Sequence, residues 1–284
     1  MPLAIEKFLH TERLPHIWCP GCGIGIVVSA FLRVAIDLGY ERENTVVVSG
    51  IGCSSRACNY IDMGTVHSIH GRALAVATGI KMARPDFNVV VFMGDGDGAA
   101  IGGNHLIHAC RRNIDLTCIV LNNQVYGMTG GQLSPTMEIG DKATTATHGN
   151  VERPFNLCRL VEAAGATFVA RGTAGNIRQT EMFIKKGLQH PGFAFIEAVV
   201  PCPTEYGRRQ GIKSVVKMLE DEKERSVTKL KASKMTPEEL RGKIVTGILH
   251  EDATVPEFQR TYAESARALT RAANEKAPIP EEEK

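Results

Sequence analysis

Two groups of residues in this sequence carry side chains suited to binding a charged ligand. The first is a pair of hard oxygen donors: Asp95, in the Gly-rich run GDGDG, and Asn123, in NNQVYGMTGGQ, each placed just after a strand-like apolar stretch. The second is a set of four cysteines, Cys19 and Cys22 in WCPGCG, Cys53 in GIGCSSR and Cys202 in PCPTEYGRR. A carboxylate and an amide oxygen are what a magnesium ion takes when phosphate oxygens and water complete its octahedron. Gly94 and Gly96 allow a tight turn against a phosphate, and the helix start that follows offers unpaired N–H groups to it. GDGDG alone also reads as a surface turn. A dinucleotide fingerprint is absent, because the first strand runs into GIGCSS and not into GxGxxG. Four thiolates suit structural zinc or an iron–sulfur cluster, and CxxC alone is also compatible with a redox dithiol.

The elements that must hold these residues follow from hydrophobic periodicity. Short β-branched runs at Thr45–Ser49, Asn88–Met93, Asp115–Asn122, Thr167–Arg171 and Phe193–Val200 predict strands. Amphipathic stretches at Gly25–Leu38, Arg72–Ala83, Gly103–Arg112, Phe155–Ala164 and Asn176–Gln189 predict the helices between them. The alternation implies an α/β fold with a doubly wound, mostly parallel sheet. Ligands of such sheets bind beyond the carboxyl ends of the strands, which points to the segments after Ser49, Met93, Leu121 and Val200. The stretch from Asn123 to Pro154 is long, rich in Gly and Thr and without a period, as functional or partner-covered loops are. After residue 205 Lys, Arg and Glu dominate. Residues 1–205 are therefore read as the ligand-binding α/β domain and 206–284 as a charged, helical extension with a frayed tail, NEKAPIPEEEK.

At 284 residues the chain is long enough for a sizeable core. Its 33 Lys and Arg nearly balance 31 Asp and Glu, which excludes the basic excess of a nucleic-acid binder. Its apolar runs are too short to cross a bilayer. The N-terminus carries no secretory pattern, so a cytoplasmic location is expected, where clustered cysteines read as metal or redox chemistry before disulfides. Cys110 and Cys118 fall in helix and strand patterns and read as small buried hydrophobes; Cys58 and Cys158 have no ligand assignment. His105 and His108, three apart on one helix, read as packing or interface residues.

GDG, 25 residues and then NN resembles the thiamine diphosphate motif. The resemblance implies that Asp95, Asn123 and the Val125 carbonyl hold Mg2+. It also sets Gly94, Gly96 and Asp97 against the diphosphate, with Tyr126, Gly127, Met128 and Thr129 along the cofactor. More widely, WCPGCG, GIGCSSR, HSIHGRALAVATG, GDGDG, NNQVYGMTGGQ and PCPTEYGRR, in that order from Trp18 to Gln210, resemble the β subunit of the 2-oxoacid:ferredoxin oxidoreductases. That family implies a thiamine-diphosphate-binding fold and one 4Fe-4S cluster on Cys19, Cys22, Cys53 and Cys202, with Trp18 packed beside it. The activity implied is coenzyme A-dependent oxidative decarboxylation of a 2-oxoacid with ferredoxin as electron acceptor, open to running in reverse.

Arg56, Arg72 and the neighbouring His70 are the candidate catalytic or substrate-facing cations; structural ion pairs or partner contacts are the other reading of the arginines. A guanidinium suits a dicarboxylic oxoacid. Met128 stands where pyruvate enzymes of the family usually show Asn, so YGMTGGQ and GCSSR look like the 2-oxoglutarate branch. Pyruvate and 2-oxoisovalerate remain alternatives, as does a zinc-binding structural subunit. The resemblance also implies an α subunit that supplies the glutamate activating the cofactor, in an αβ unit paired into a dimer.

Overall fold

The computed structural model describes residues 4–276. Helix α1 (Ile24–Asp37) follows the CxxC run and leads into strand β1 (Thr45–Ser49), a short helix α2 (Ala57–Tyr60) and strand β2 (Gly64–His67). Then come α3 (Ala73–Ala83), β3 (Asn88–Gly94), α4 (Gly103–Arg112) and β4 (Leu116–Asn122). A small hairpin of β5 (Val125–Tyr126) and β6 (Gln132–Leu133) opens the long loop, and α5 (Leu157–Ala163), β7 (Phe168–Thr173), α6 (Ile177–Gln189) and β8 (Phe193–Val199) complete the α/β series. The five strands and five helices read from periodicity all form, with ends moved by one or two residues. The two-residue strands of the hairpin and the half-exposed β2 are too short or too polar to show a period.

Strands β2, β1, β3, β4, β8 and β7 lie side by side in that order, all parallel. Val89 to Met93 is buried without interruption, as expected of a strand covered on both faces. Alternate residues feed two cores. Val90, Phe92, Ile119 and Leu121 meet α1 and α6 on one face, with Phe31 edge-on to Phe92 at 5.3 Å. Val89, Val91, Met93 and Val120 meet α3, α4 and α5 on the other. Each such side chain contributes about 1.5–3 kcal/mol by leaving water. Register sets Ser49 beside Phe92, Gly94 beside Leu121 and Asn122 beside Val199, so the carboxyl ends of β1, β3, β4 and β8 open along one edge.

The segment after residue 205 departs from the helical expectation in part. Helices α7 (Val215–Arg225) and α9 (Phe258–Lys276) form, but between them lie β9 (Ser226–Thr228), a short helix α8 (Lys229–Ala232) and β10 (Ile244–Glu251). β10 pairs antiparallel with β7, and β9 pairs parallel with β10. The open edge of β7 offers unpaired backbone groups, which the Gly247–Glu251 part of β10 satisfies while the β-branched run IVT at its start pairs with β9; edge pairing outweighs the helical spacing. Of the tail expected to fray, NEKAPIPEEEK, residues 274–276 close α9 and residues 277–284 lie outside the described residues. No helix among the described residues is long and apolar enough to cross a membrane.

Candidate functional site

The shared edge holds two adjoining cavities. The first, of about 190 Å³, is lined by every residue expected against the cofactor: Gly94 through Asp97, Asn123 and Val125 through Thr129. Asp95 is buried, and both Ser134 Oγ and Thr136 Oγ1 donate to its Oδ2 at 2.6 Å. Burial pushes this carboxyl above the ordinary carboxylate range, while the two hydroxyls pull it down. With Oδ2 so engaged, Oδ1 faces the Asn123 side-chain oxygen at 3.3 Å, and that oxygen lies 2.8 Å from the carbonyl of Val125. Turning the amide over would place a donor there instead and close two hydrogen bonds. As it stands, three oxygens crowd together at spacings close to the edge of a magnesium octahedron, about 2.9 Å for bonds of 2.0–2.1 Å. This donor set fits a small hard cation.

Asp97 does something else as well. Its Oδ1 accepts the backbone N–H groups of Gly71 at 2.7 Å and Ile51 at 3.3 Å and lies 2.7 Å from His70 Nδ1, tying the loops after β1 and β2 to the turn after β3. Its Oδ2 is buried without a partner. Burial raises its pKa, opposed by those N–H groups and by His70. Neither Gly94 nor Gly96 has a left-handed φ, contrary to the tight-turn expectation. Gly96 is required for packing: any Cβ there would run into the Tyr126 ring, whose hydroxyl donates to the Gly96 carbonyl at 3.3 Å. His70 lines the cavity. Arg72 does not; its guanidinium donates back to the His70 carbonyl at 3.3 Å.

The second cavity, of about 280 Å³, is lined by Cys19, Cys22, Cys53 and Cys202, together with Trp18 and Arg56. It shares Cys53, Asn123, Gly127 and Met128 with the first. A Cβ on Gly127 would stand 3.6 Å from both Cys53 Sγ and Cys202 Sγ, so the bare glycine leaves that space open. Burial, with a smaller push from the neighbouring sulfurs, raises the Cys22 thiol to about 12 and Cys53 to about 11. Thiols so placed become thiolates only beside compensating positive charge. Among the described residues no three His, Cys, Asp or Glu side chains close on a single-ion site; the sulfurs surround a volume instead. Trp18 Nε1 donates to the Cys53 carbonyl at 2.7 Å. Arg56 Nε is buried with no partner, and the guanidinium forms no ion pair with any described residue. Cys58, Cys110, Cys118 and Cys158 are buried in the two cores, away from both cavities.

Residues 50–198 match the thiamine pyrophosphate enzyme family, C-terminal TPP binding domain. A 2-oxoglutarate synthase subunit KorB of Methanocaldococcus jannaschii is 54% identical over 252 residues, covering 89% of this chain and 93% of that one. Its counterpart in Archaeoglobus fulgidus is 61% identical over 204 residues, 72% of this chain and 76% of that one. The chain belongs to the 2-oxoacid:ferredoxin oxidoreductase β subunits. Within them it groups with the 2-oxoglutarate branch. A solved 2-oxoglutarate:ferredoxin oxidoreductase from Magnetococcus marinus, with 2-oxoglutarate, coenzyme A and succinyl-CoA bound to it, superposes with a TM-score of 0.84 and 32% identity over 98% of this chain and 97% of that one.

The residues that hold the oxygen cradle of this β subunit from behind lie outside the motifs of its sequence. Thr136 Oγ1 lies 2.9 Å from Asn122 Oδ1; Asn122 Nδ2 donates to Glu197 Oε1 at 2.7 Å, and Arg171 Nε donates to Glu197 Oε2 at 2.7 Å. The one available signal was a charged residue, Glu197, inside an otherwise apolar strand. Ser134 and Thr136 sit in a loop with no period to mark them. His105 and His108 line neither cavity; His108 Nδ1 accepts from Arg111 Nε at 3.3 Å.

Proposed function

We propose that the chain is the thiamine diphosphate-binding β subunit of a 2-oxoglutarate:ferredoxin oxidoreductase. It would convert 2-oxoglutarate and coenzyme A to succinyl-CoA and CO2, with two electrons leaving singly to ferredoxin. The observation that carries this reading is the shared wall between an oxygen-donor cradle and a four-thiol shell, made by Cys53, Asn123, Gly127 and Met128. When bound, thiamine diphosphate supplies the carbon chemistry and a 4Fe-4S cluster the electron exit. A non-redox thiamine enzyme has no use for the second cavity, and a zinc subunit none for the first.

Each residue then has a task. Asp95 and Asn123, with the Val125 carbonyl, hold Mg2+ and through it the diphosphate, while Gly94, Gly96, Asp97 and Tyr126 through Thr129 shape the cavity around the cofactor. Asp97 also fixes His70 at the cavity wall. Cys19, Cys22, Cys53 and Cys202 ligate the cluster, and Trp18 anchors the Cys53 backbone. Arg56, a half-buried cation without an ion pair among the described residues, faces the acyl substrate's carboxylate or the cluster. Arg72 shapes the turn that carries His70.

The partner is an α subunit, which supplies the activating glutamate and closes the cofactor at the αβ interface; the assembly is a dimer of αβ units. The balanced charge supports no role for nucleic acid. Eight free cysteines suit the reducing cytoplasm. The test is anaerobic co-expression with the α subunit and an assay of coenzyme A-dependent viologen reduction. We expect 2-oxoglutarate to exceed pyruvate and 2-oxoisovalerate by at least about tenfold in kcat/KM, a difference of about 1.4 kcal/mol in transition-state binding. Equal rates with pyruvate would overturn the substrate assignment, and a colourless zinc-loaded protein the activity.

A further inference from the structure

The wall of the thiol cavity is uneven in exposure and charge. Cys202 is buried and Cys22 and Cys53 are half-buried, but Cys19 is exposed, as are Pro20 and Gly21 after it and Ile17 before it, the last at 66%. Of the four cysteines, Cys19 is the one that solvent reaches most. The element beside that opening is the start of α7: Gly21, at φ +79°, lies under Val215, whose methyl groups occupy the space a Cβ would take. The next residue, Val216, is 63% exposed.

The segment leading to this contact, YGRRQGIKSVVKML from Tyr206 to Leu219, carries Arg208, Arg209, Lys213 and Lys217 and no acidic residue; the acidic residues of α7, Glu220, Asp221, Glu222 and Glu224, follow further along the helix. Arg209 is spent internally on Glu205 and the Gly130 carbonyl. Arg208, Lys213 and Lys217 are exposed and form no ion pair with any described residue. This excess is local, since the whole chain has a formal charge of only +2. Exposed apolar side chains (Ile17, Val216) and free cations on the two segments that meet at Gly21 and Val215 are what a transient docking surface for an acidic protein presents.

We propose that Ile17, the exposed Cys19–Gly21 loop and the α7 start with Lys213, Val216 and Lys217 form the docking surface for a small acidic iron–sulfur electron carrier. The inference rests on the function proposed above and gives the extension a role in it. Each docking event passes one electron to the oxidised carrier, which leaves reduced; two such events accept the two electrons released per oxoacid oxidised. Exposed lysines act here by steering encounter, so the effect falls in KM for the carrier and weakens with salt.

The experiment uses the αβ holoenzyme carrying Lys213→Glu with Lys217→Glu, a milder pair Lys213→Gln with Lys217→Gln, and Lys186→Glu on the exposed side of α6 as control. Each is assayed with a purified acidic bacterial ferredoxin and, separately, with methyl viologen. For the Glu pair we expect KM for ferredoxin to rise about tenfold or more at low ionic strength, with a flattened salt dependence. Viologen rates and iron content should stay within about twofold of the parent. The Gln pair should fall between, and Lys186→Glu should match the parent. Unchanged ferredoxin kinetics in both pairs, or weakened αβ association in place of a ferredoxin effect, would overturn the docking surface while leaving the proposed activity standing. A parent enzyme that reduces neither acceptor would instead overturn the activity, and the docking inference with it.

Discussion

Thr136 Oγ1 donates to Asp95 Oδ2 at 2.6 Å from a loop forty-one positions further along the chain. Because Ser134 engages the same oxygen at 2.6 Å, Asp95 has one carboxylate oxygen held by these hydroxyls and the other facing the Asn123 amide. The carboxylate is thus turned by its hydrogen bonds before any cation arrives. Behind Thr136 the chain of contacts runs through Asn122 to Glu197. Burial by itself would raise the Glu197 pKa, but Arg171 beside it and the Asn122 amide win, holding the carboxyl below its ordinary range. The ionised Glu197 fixes which way the Asn122 amide points.

Thr136→Val keeps the shape of this side chain and removes only the hydroxyl. We expect the affinity for Mg2+ with thiamine diphosphate to fall by about 10- to 100-fold, as for other residues that orient a metal ligand from behind. Folding stability should drop by only about 1–3 kcal/mol. Calorimetric titration of the cofactor at several Mg2+ concentrations separates the two effects. An affinity equal to the parent's would show that Ser134 alone orients Asp95.

Gly127 stands between Cys53 and Cys202, and a side chain there points into space that both cavities use. Gly127 is not at a left-handed φ, so substitution brings bulk without backbone strain. Gly127→Val should therefore fold with a secondary-structure content equal to the parent's while retaining less than about half its iron. The variant with full iron content would place the cluster elsewhere. Trp18, the single tryptophan, lines the same cavity and reports occupancy: its fluorescence should be quenched in the loaded parent and recover in the variant.

The sequence carried the parts of this fold that repeat. Val89–Met93 and Ile119–Leu121 are buried on both faces, so composition alone marked them as strands, and the cysteines and Asp95 lie just past strand or helix boundaries that periodicity had located. What it did not carry depends on contacts between distant segments. Nothing near Ile244 says that β7 has an open edge, and nothing near Thr136 says that its hydroxyl meets Asp95. Arg72 is a candidate cation by its place in HSIHGR, and nothing in that motif shows that its guanidinium donates back to the His70 carbonyl. The GDG motif does not show that Gly96 makes room for Tyr126.

Glu222 gives the extension a pH dependence of its own. It sits in α7, buried, with its Oε2 accepting the Gly175 N–H at 2.9 Å, and so fastens α7 to the turn before α6. Burial raises its pKa to about 8; the Gly175 N–H opposes this, Asp221 adds to it and Arg225 offsets it. Below about pH 4.5 the group is protonated whether the chain is folded or not, and its contribution to stability is fully present. Between about 4.5 and 8 the unfolded chain has released the proton and the folded chain still holds it, so stability declines as pH rises; above 8 the decline stops. Glu222→Gln keeps an acceptor for Gly175 and cannot ionise. Its stability should match the parent's near pH 5 and exceed it near pH 9 by on the order of a few kcal/mol. Chemical denaturation of both proteins across that range tests this, with parallel curves at every pH as the result that would sink it.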